Sequence, residues 1–155
     1  MPSFDRRIRR TRKGEYELRI PHNERAVLRQ LIAELREVLP TKDAAVGRLF
    51  PPAYSDRVHD EQYRSLVRDQ LVSGRAKALA TVRETLVAET LDLEQADQWM
   101  RALNDMRLFL GTRWDVTEQL DYGKLDLNEP GGRELAVYGY LSWLQEQLVE
   151  ALQSS

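Results

Sequence analysis

Two histidines, His22 and His59, and no cysteine are what the chain offers as soft metal ligands or partners for a nucleophile. The histidines fall in separate segments, and no carboxylate stands at clear ligand spacing to either, so no metal centre is expected. Without a thiol there is no thiolate site, no disulfide framework and no cysteine nucleophile. Carboxylates pair at helical spacing, Glu94 with Asp97 and Asp97 with Asp105. General acid–base chemistry needs a cleft, a reason for a raised pKa and a second group, and none accompanies these pairs. No glycine-rich phosphate loop, serine elbow, zinc motif or dinucleotide fingerprint occurs. The expectation is a protein that is not an enzyme and carries neither metal nor cofactor.

The arginines are more informative. Residues 1–20 hold seven Lys and Arg against Asp5, Glu15 and Glu17, a local charge of +4 in a chain whose net charge is −2. The N-terminus therefore reads as a basic arm on an acidic body. Arg6, Arg7, Arg9 and Arg10 form either a phosphate- or partner-binding patch, with DNA backbone among its candidates, or a solvated strand edge kept from aggregating by its charge. Aromatic residues for stacking on bases are nearly absent from this stretch.

A second unusual charge is Arg107. Ala96, Trp99, Met100, Leu103, Met106 and Leu110 recur at the spacing of one helical face. At about 100° per residue Arg107 lies only about 40° from Leu103, on the same face. A guanidinium excluded from water needs a partner. Asp69, on another helix, is the expected one, and Asp105 is set aside because it lies about 160° around the helix from Arg107. An anion or partner site is the alternative. Arg113 and Asn104 flank the same helix, and Arg113 joins the candidate interaction residues.

The elements that position these residues follow from periodicity. Residues 4–20 alternate as a β-hairpin around Arg12-Lys13-Gly14, with Ile8, Tyr16, Leu18 and Ile20 toward the core. A helix capped by Asn23 runs to about Leu39, where Pro40 stops it. A loop with Leu49-Phe50-Pro51-Pro52-Ala53-Tyr54 follows, its prolines stiffening it so that the apolar side chains reach the core. Residues 58–89 read as helix with a break near Gly74. The central helix starts at an Asp92/Gln95 capping box and ends at Gly111. An irregular acidic connection then leads to a last helix over about 133–152, striped by Val137, Leu141, Leu144, Leu148 and Leu152. Tyr140 and Trp143 widen that stripe, which makes a homodimer through this helix a candidate.

These readings amount to one domain, residues 1–155: a mainly α, compact bundle of about five helices over 23–152, with the basic hairpin at 4–20. A chain of 155 residues is long enough to bury its own core. No apolar run approaches the about 18 residues of a membrane span, and the N-terminus lacks the apolar core of a signal peptide, so a cytoplasmic protein with no membrane contact is expected.

Several segments together resemble a known family: Arg48-Leu49-Phe50-Pro51-Pro52-Ala53-Tyr54, Tyr63-Arg64-Ser65-Leu66, Arg83-Glu84-Thr85-Leu86, Arg101-Ala102-Leu103-Asn104-Asp105-Met106-Arg107-Leu108 with Leu110-Gly111-Thr112-Arg113, and Trp143-Leu144-Gln145-Glu146-Gln147-Leu148-Val149. The resemblance is to a small actinobacterial family catalogued as a domain of unknown function, which includes the oxidative-stress regulator AosR. It implies a cytoplasmic regulator acting through a sigma factor or another RNA polymerase component. Genes of the family also lie near the adaptor of the Clp protease, which makes a proteostasis adaptor binding a Clp-system protein the alternative, beside an anion or small-molecule sensor. The family's redox sensing depends on cysteines, so a disulfide switch does not carry over to this chain.

Overall fold

The computed structural model describes residues 6–39, 60–113 and 131–154, with the side chains of 60–68 and 113 outside the description. The expected Pro-Pro loop, the acidic connection and the stop at Pro40 lie outside the described residues. What is described is mainly helical. Strands β1 (Ile8–Arg10) and β2 (Tyr16–Leu18) precede helices α1 (His22–Val38) and α2 (Asp60–Thr85), and a third strand β3 (Thr90–Leu91) leads into α3 (Leu93–Arg113) and α4 (Gly132–Gln153).

The hairpin forms as its alternation predicts, with Ile8 opposite Leu18 and Arg10 opposite Tyr16. Its turn is closed by Thr11 N–H donating to Glu15 C=O at 2.8 Å and Gly14 N–H to Thr11 C=O at 3.1 Å. Gly14 sits at φ +82°, where a side chain would be strained. Ile8, Tyr16, Leu18 and Ile20 are buried. The sheet has a third strand that the sequence did not announce, in the order β1-β2-β3. Two residues are too few for alternation to register.

The helices differ from expectation at some of their ends. Helix α1 starts at His22, after Pro21 at φ −61° and ψ 157°, and Asn23 lies inside it instead of capping it. The Pro21 carbonyl already accepts from Arg25 N–H at 2.9 Å, so the extended proline sets the entry geometry. The expected break at Gly74 does not occur: α2 runs unbroken through it, giving four helices among the described residues. An interior glycine costs only about 1 kcal/mol against alanine, which packing of Ala78, Leu79 and Val82 outweighs.

At α3 the capping box forms reciprocally, Gln95 N–H donating to Asp92 Oδ1 at 2.8 Å and Asp92 N–H to Gln95 Oε1 at 3.0 Å. Gly111 does not end this helix, which continues to Arg113. A Cβ at Gly111 would stand 3.2 Å from Tyr138 Cε2, so the glycine serves close approach of α4 to α3. Helix α3 is the hub of the bundle, with α2 on one flank and α4 on the other. Trp99, Leu103, Met106 and Phe109 on α3 meet Leu79 and Val82 from α2, Leu28, Ile32 and Leu35 from α1, and Leu141, Leu144 and Leu148 from α4 in one core. No helix among the described residues is long and apolar enough to cross a membrane.

Candidate interaction surface

The four arginines of the basic arm come to lie between the hairpin, α1 and α4, and each has a partner there. Arg7 is the most enclosed. Its guanidinium forks onto Glu24 of α1, Nε to Oε1 at 2.9 Å and Nη2 to Oε2 at 2.8 Å, with the two side chains only 15% and 20% exposed. A two-point contact of this kind fixes orientation as well as charge. The other face of the guanidinium lies 5.3 Å from the centroid of the Trp143 ring, which in turn tilts against Tyr140. Arg6 pairs with Glu150 at 2.8 Å, Arg9 with Glu17 at 3.0 Å, and Arg10 reaches the Ser154 carbonyl at the C-terminal end of α4. The last contact places a cation at the negative end of the helix dipole. Arg9 and Arg10 stay exposed on the hairpin, and Arg7 is the enclosed member of the four. Arg6 and Arg7 clip the arm to acidic residues of the body, while Arg9 pairs within the hairpin.

Gln147 of α4 completes the clip. Only 6% exposed, its Oε1 accepts from Arg7 N–H at 2.7 Å and from Ile8 N–H at 3.1 Å. The amide thereby caps the free edge of β1, a polar role that a helical apolar stripe cannot reveal. Gln147→Leu is expected to cost about 2 kcal/mol, because it leaves two enclosed backbone donors without an acceptor. Urea denaturation checks this, and an unchanged midpoint would show that water reaches both amides.

The electrostatics around Glu24 follow from this geometry. Burial pushes its carboxyl up, but the Arg7 fork and the neighbouring Tyr140 hydroxyl outweigh it, and the net position is below the ordinary glutamate value of 4.5. Tyr140 is driven the other way, well above its ordinary value, by burial and by the Glu24 charge. A carboxylate whose pKa is lowered by folding contributes stability that is complete above 4.5 and is lost as pH falls through its lower folded value. Glu24→Gln is therefore expected to lose about 1–2 kcal/mol at neutral pH, and to show a shallower fall in stability below pH 4.5 than the parent chain. Melting temperatures measured between neutral pH and strong acid test both parts.

The second expected cluster is rearranged. The Arg107–Asp69 pair does not form: Asp69 is exposed on α2, while the Arg107 guanidinium lies 6.0 Å from the Tyr138 ring centroid on the α4 side. The buried acid of α3 is instead Asp105, 1% exposed, and Arg75 of α2 donates to its Oδ1. Burial raises the Asp105 pKa above its ordinary 3.8 even though Arg75 and, more weakly, Arg101 pull it down. Sequence reasoning set Asp105 aside by its angle to Arg107. A usable signal was its bracketing by Ala102 and Phe109, three and four residues away, both of which are buried. Arg113 is the last residue of α3 and Asn104 is half-buried. The structure thus brings Arg6, Arg7 and Arg10 together at α4 and leaves Arg107 apart from them.

His22 is the first residue of α1, and no group of three or more His, Asp or Glu among the described residues is placed to hold a metal. What the surface beside the clip offers is a partly exposed aromatic: Trp143, at 39%, borders a cavity of about 180 Å³ with Arg6, Glu146, Gln147 and Glu150.

Residues 5–152 match the model of a family described as a domain of unknown function, DUF2017. The chain belongs to that family. The match covers Arg6, Arg7, Glu24, Gln147 and Glu150, so these members of the clip fall within the family domain. No curated protein and no solved structure matches the chain.

Proposed function

We propose that this member of the DUF2017 family is a non-enzymatic cytoplasmic regulator that works by binding another protein, a sigma factor or another component of the transcription machinery. The reading rests on Trp143. It lies on α4 with 39% of its surface open, its ring held by Arg7 and Tyr140. Tryptophan, tyrosine and arginine set together on a rigid element are the residue types that carry most of the free energy at protein interfaces. Because Arg6, Arg7 and Arg9 are already paired with carboxylates, a protein surface suits this face better than a DNA backbone does. The resemblance to the oxidative-stress regulator AosR supplies the choice of partner. With no cysteine in the chain, the signal it answers is not a thiol–disulfide exchange.

The test is crosslinking and affinity purification from the native cell, with and without oxidant, using the parent chain and Trp143→Ser. The parent is expected to recover a sigma factor or RNA polymerase, and the variant about tenfold less of it while remaining folded by circular dichroism. Recovery of Clp components in place of transcription proteins would replace this reading with that of a proteostasis adaptor. A dimer that dissociates on Trp143→Ser would make α4 a self-association surface.

A further inference from the structure

The two edges of the sheet end differently. On the β1 side, Ile8 turns its N–H and C=O outward, and both are taken: Gln147 Oε1 accepts from the N–H at 3.1 Å and Arg6 Nε donates to the C=O at 2.9 Å. On the β3 side, Leu18 N–H donates to Glu89 C=O at 2.8 Å and Tyr16 stands opposite Leu91. Glu89 and Leu91 therefore turn their backbone groups toward β2, and Thr90 between them turns its own away from the sheet. Among the described residues none occupies the outward N–H and C=O of Thr90.

The surroundings of this open edge are apolar and acidic. Val87 and Leu93, on either side of β3, are 63% and 64% exposed, well above the other exposed large apolar side chains, Val27 and Trp143. From residue 84 to residue 94 the chain carries Glu84, Glu89, Asp92 and Glu94 and no lysine or arginine, and all four carboxylates are exposed. Glu15 joins them from the hairpin, accepting from the Thr90 hydroxyl at 3.4 Å. None of the five makes an ion pair with a described residue. An edge strand left open in this way is a template for strand addition.

We propose that β3 is a docking edge for an extended, basic segment of a partner protein, which adds to the sheet as a fourth strand. Thr90 supplies one backbone donor and one acceptor, Val87 and Leu93 receive apolar side chains at alternate positions of the incoming segment, and its lysines or arginines meet the carboxylates. A second copy of this chain is a poor occupant, since edge-to-edge pairing would set five carboxylates against five. The surface is separate from Trp143 on α4, so the two readings fail independently.

The probe is a fluorescein-labelled heptapeptide, Lys-Val-Lys-Val-Lys-Val-Lys, titrated with the full chain at physiological salt and followed by anisotropy. The same peptide N-methylated at alternate residues keeps its charge and loses main-chain pairing; a third version carries Glu for Lys. Saturable binding of the basic peptide is expected, about tenfold weaker with the N-methylated form and with Thr90→Pro, and absent with the acidic form. Val87→Ser with Leu93→Ser, both at exposed positions, should weaken binding similarly while leaving the melting temperature in place. Equal binding of the methylated and unmethylated peptides, no binding of the basic peptide, or a dimer abolished by Thr90→Pro would each overturn the proposal.

Discussion

Arg75→Met is expected to destabilise the protein by about 3 kcal/mol at neutral pH, lowering the melting temperature by about 6–12 °C for a chain of this size. The substitution keeps an apolar stem between α2 and α3 and removes the cation that faces Asp105, whose side chain is 2% exposed. A buried carboxylate left without its partner is among the costliest defects a point mutation can make. The sign of the pH dependence follows from Asp105, already raised above 3.8 by burial. A carboxyl with a raised folded pKa binds its proton better in the native state, so stability grows as pH falls through that folded value toward the ordinary 3.8. Removing Arg75 raises the folded value further. The deficit of Arg75→Met should therefore shrink between neutral pH and pH 3.8, and adding Asp105→Asn should restore most of it. Urea denaturation at both pH values checks this. A deficit that stays constant would mean that Arg75 acts through its other contacts.

Trp99→Ala is expected to cost about 4 kcal/mol, the largest loss available from a single side chain in this core. The ring is fully buried, and its Nε1–H donates to Thr85 Oγ1 at 2.7 Å while the same hydroxyl donates to Thr81 C=O at 2.6 Å. Thr85 is the last residue of α2, so the indole ties the hub helix to the point where the chain leaves α2 for β3. Trp99→Phe keeps much of the apolar volume and loses the hydrogen bond, for an expected cost of about 1–2 kcal/mol. Thr85→Val should cost about the same, because it strands the indole N–H. The double variant should lose less than the sum of the two, since each removes the same contact. Strict additivity would show that the hydrogen bond contributes nothing measurable.

Both residues illustrate what periodicity can and cannot convey. Trp99 was legible: it repeats with Leu103, Met106 and Leu110 on one face, and that face is buried. Asp105 was not, because a hydrophobic pattern marks a carboxylate as exterior, and only a cation on a neighbouring helix overturns that default. Arg107 shows the converse. The wheel put it on the apolar face, and it is half-buried, yet the wheel holds no information about which helix lies opposite. Asp69 was the expected partner; the structure places Tyr138 there.

The hairpin register, the capping box of α3, the stripe of α4 and the mainly helical class were determined by the sequence, since each depends on residues within about one or two turns of each other. Tertiary structure decided the rest. Whether Gly74 interrupts a helix depended on the packing on either side of it, and whether Gly111 ends one depended on the ring of Tyr138. The basic arm carries the same arginines in either setting, but Glu24, Gln147 and Glu150 lie up to 144 residues away from them in the chain. Those distant acceptors tie Arg6 and Arg7 to the body, and Gln147 and Arg6 occupy the outward backbone groups of Ile8, while among the described residues none occupies those of Thr90. Charge and hydrophobicity are properties of residues; partnership is a property of the fold, because a hydrogen bond or ion pair needs its second group within a few ångströms.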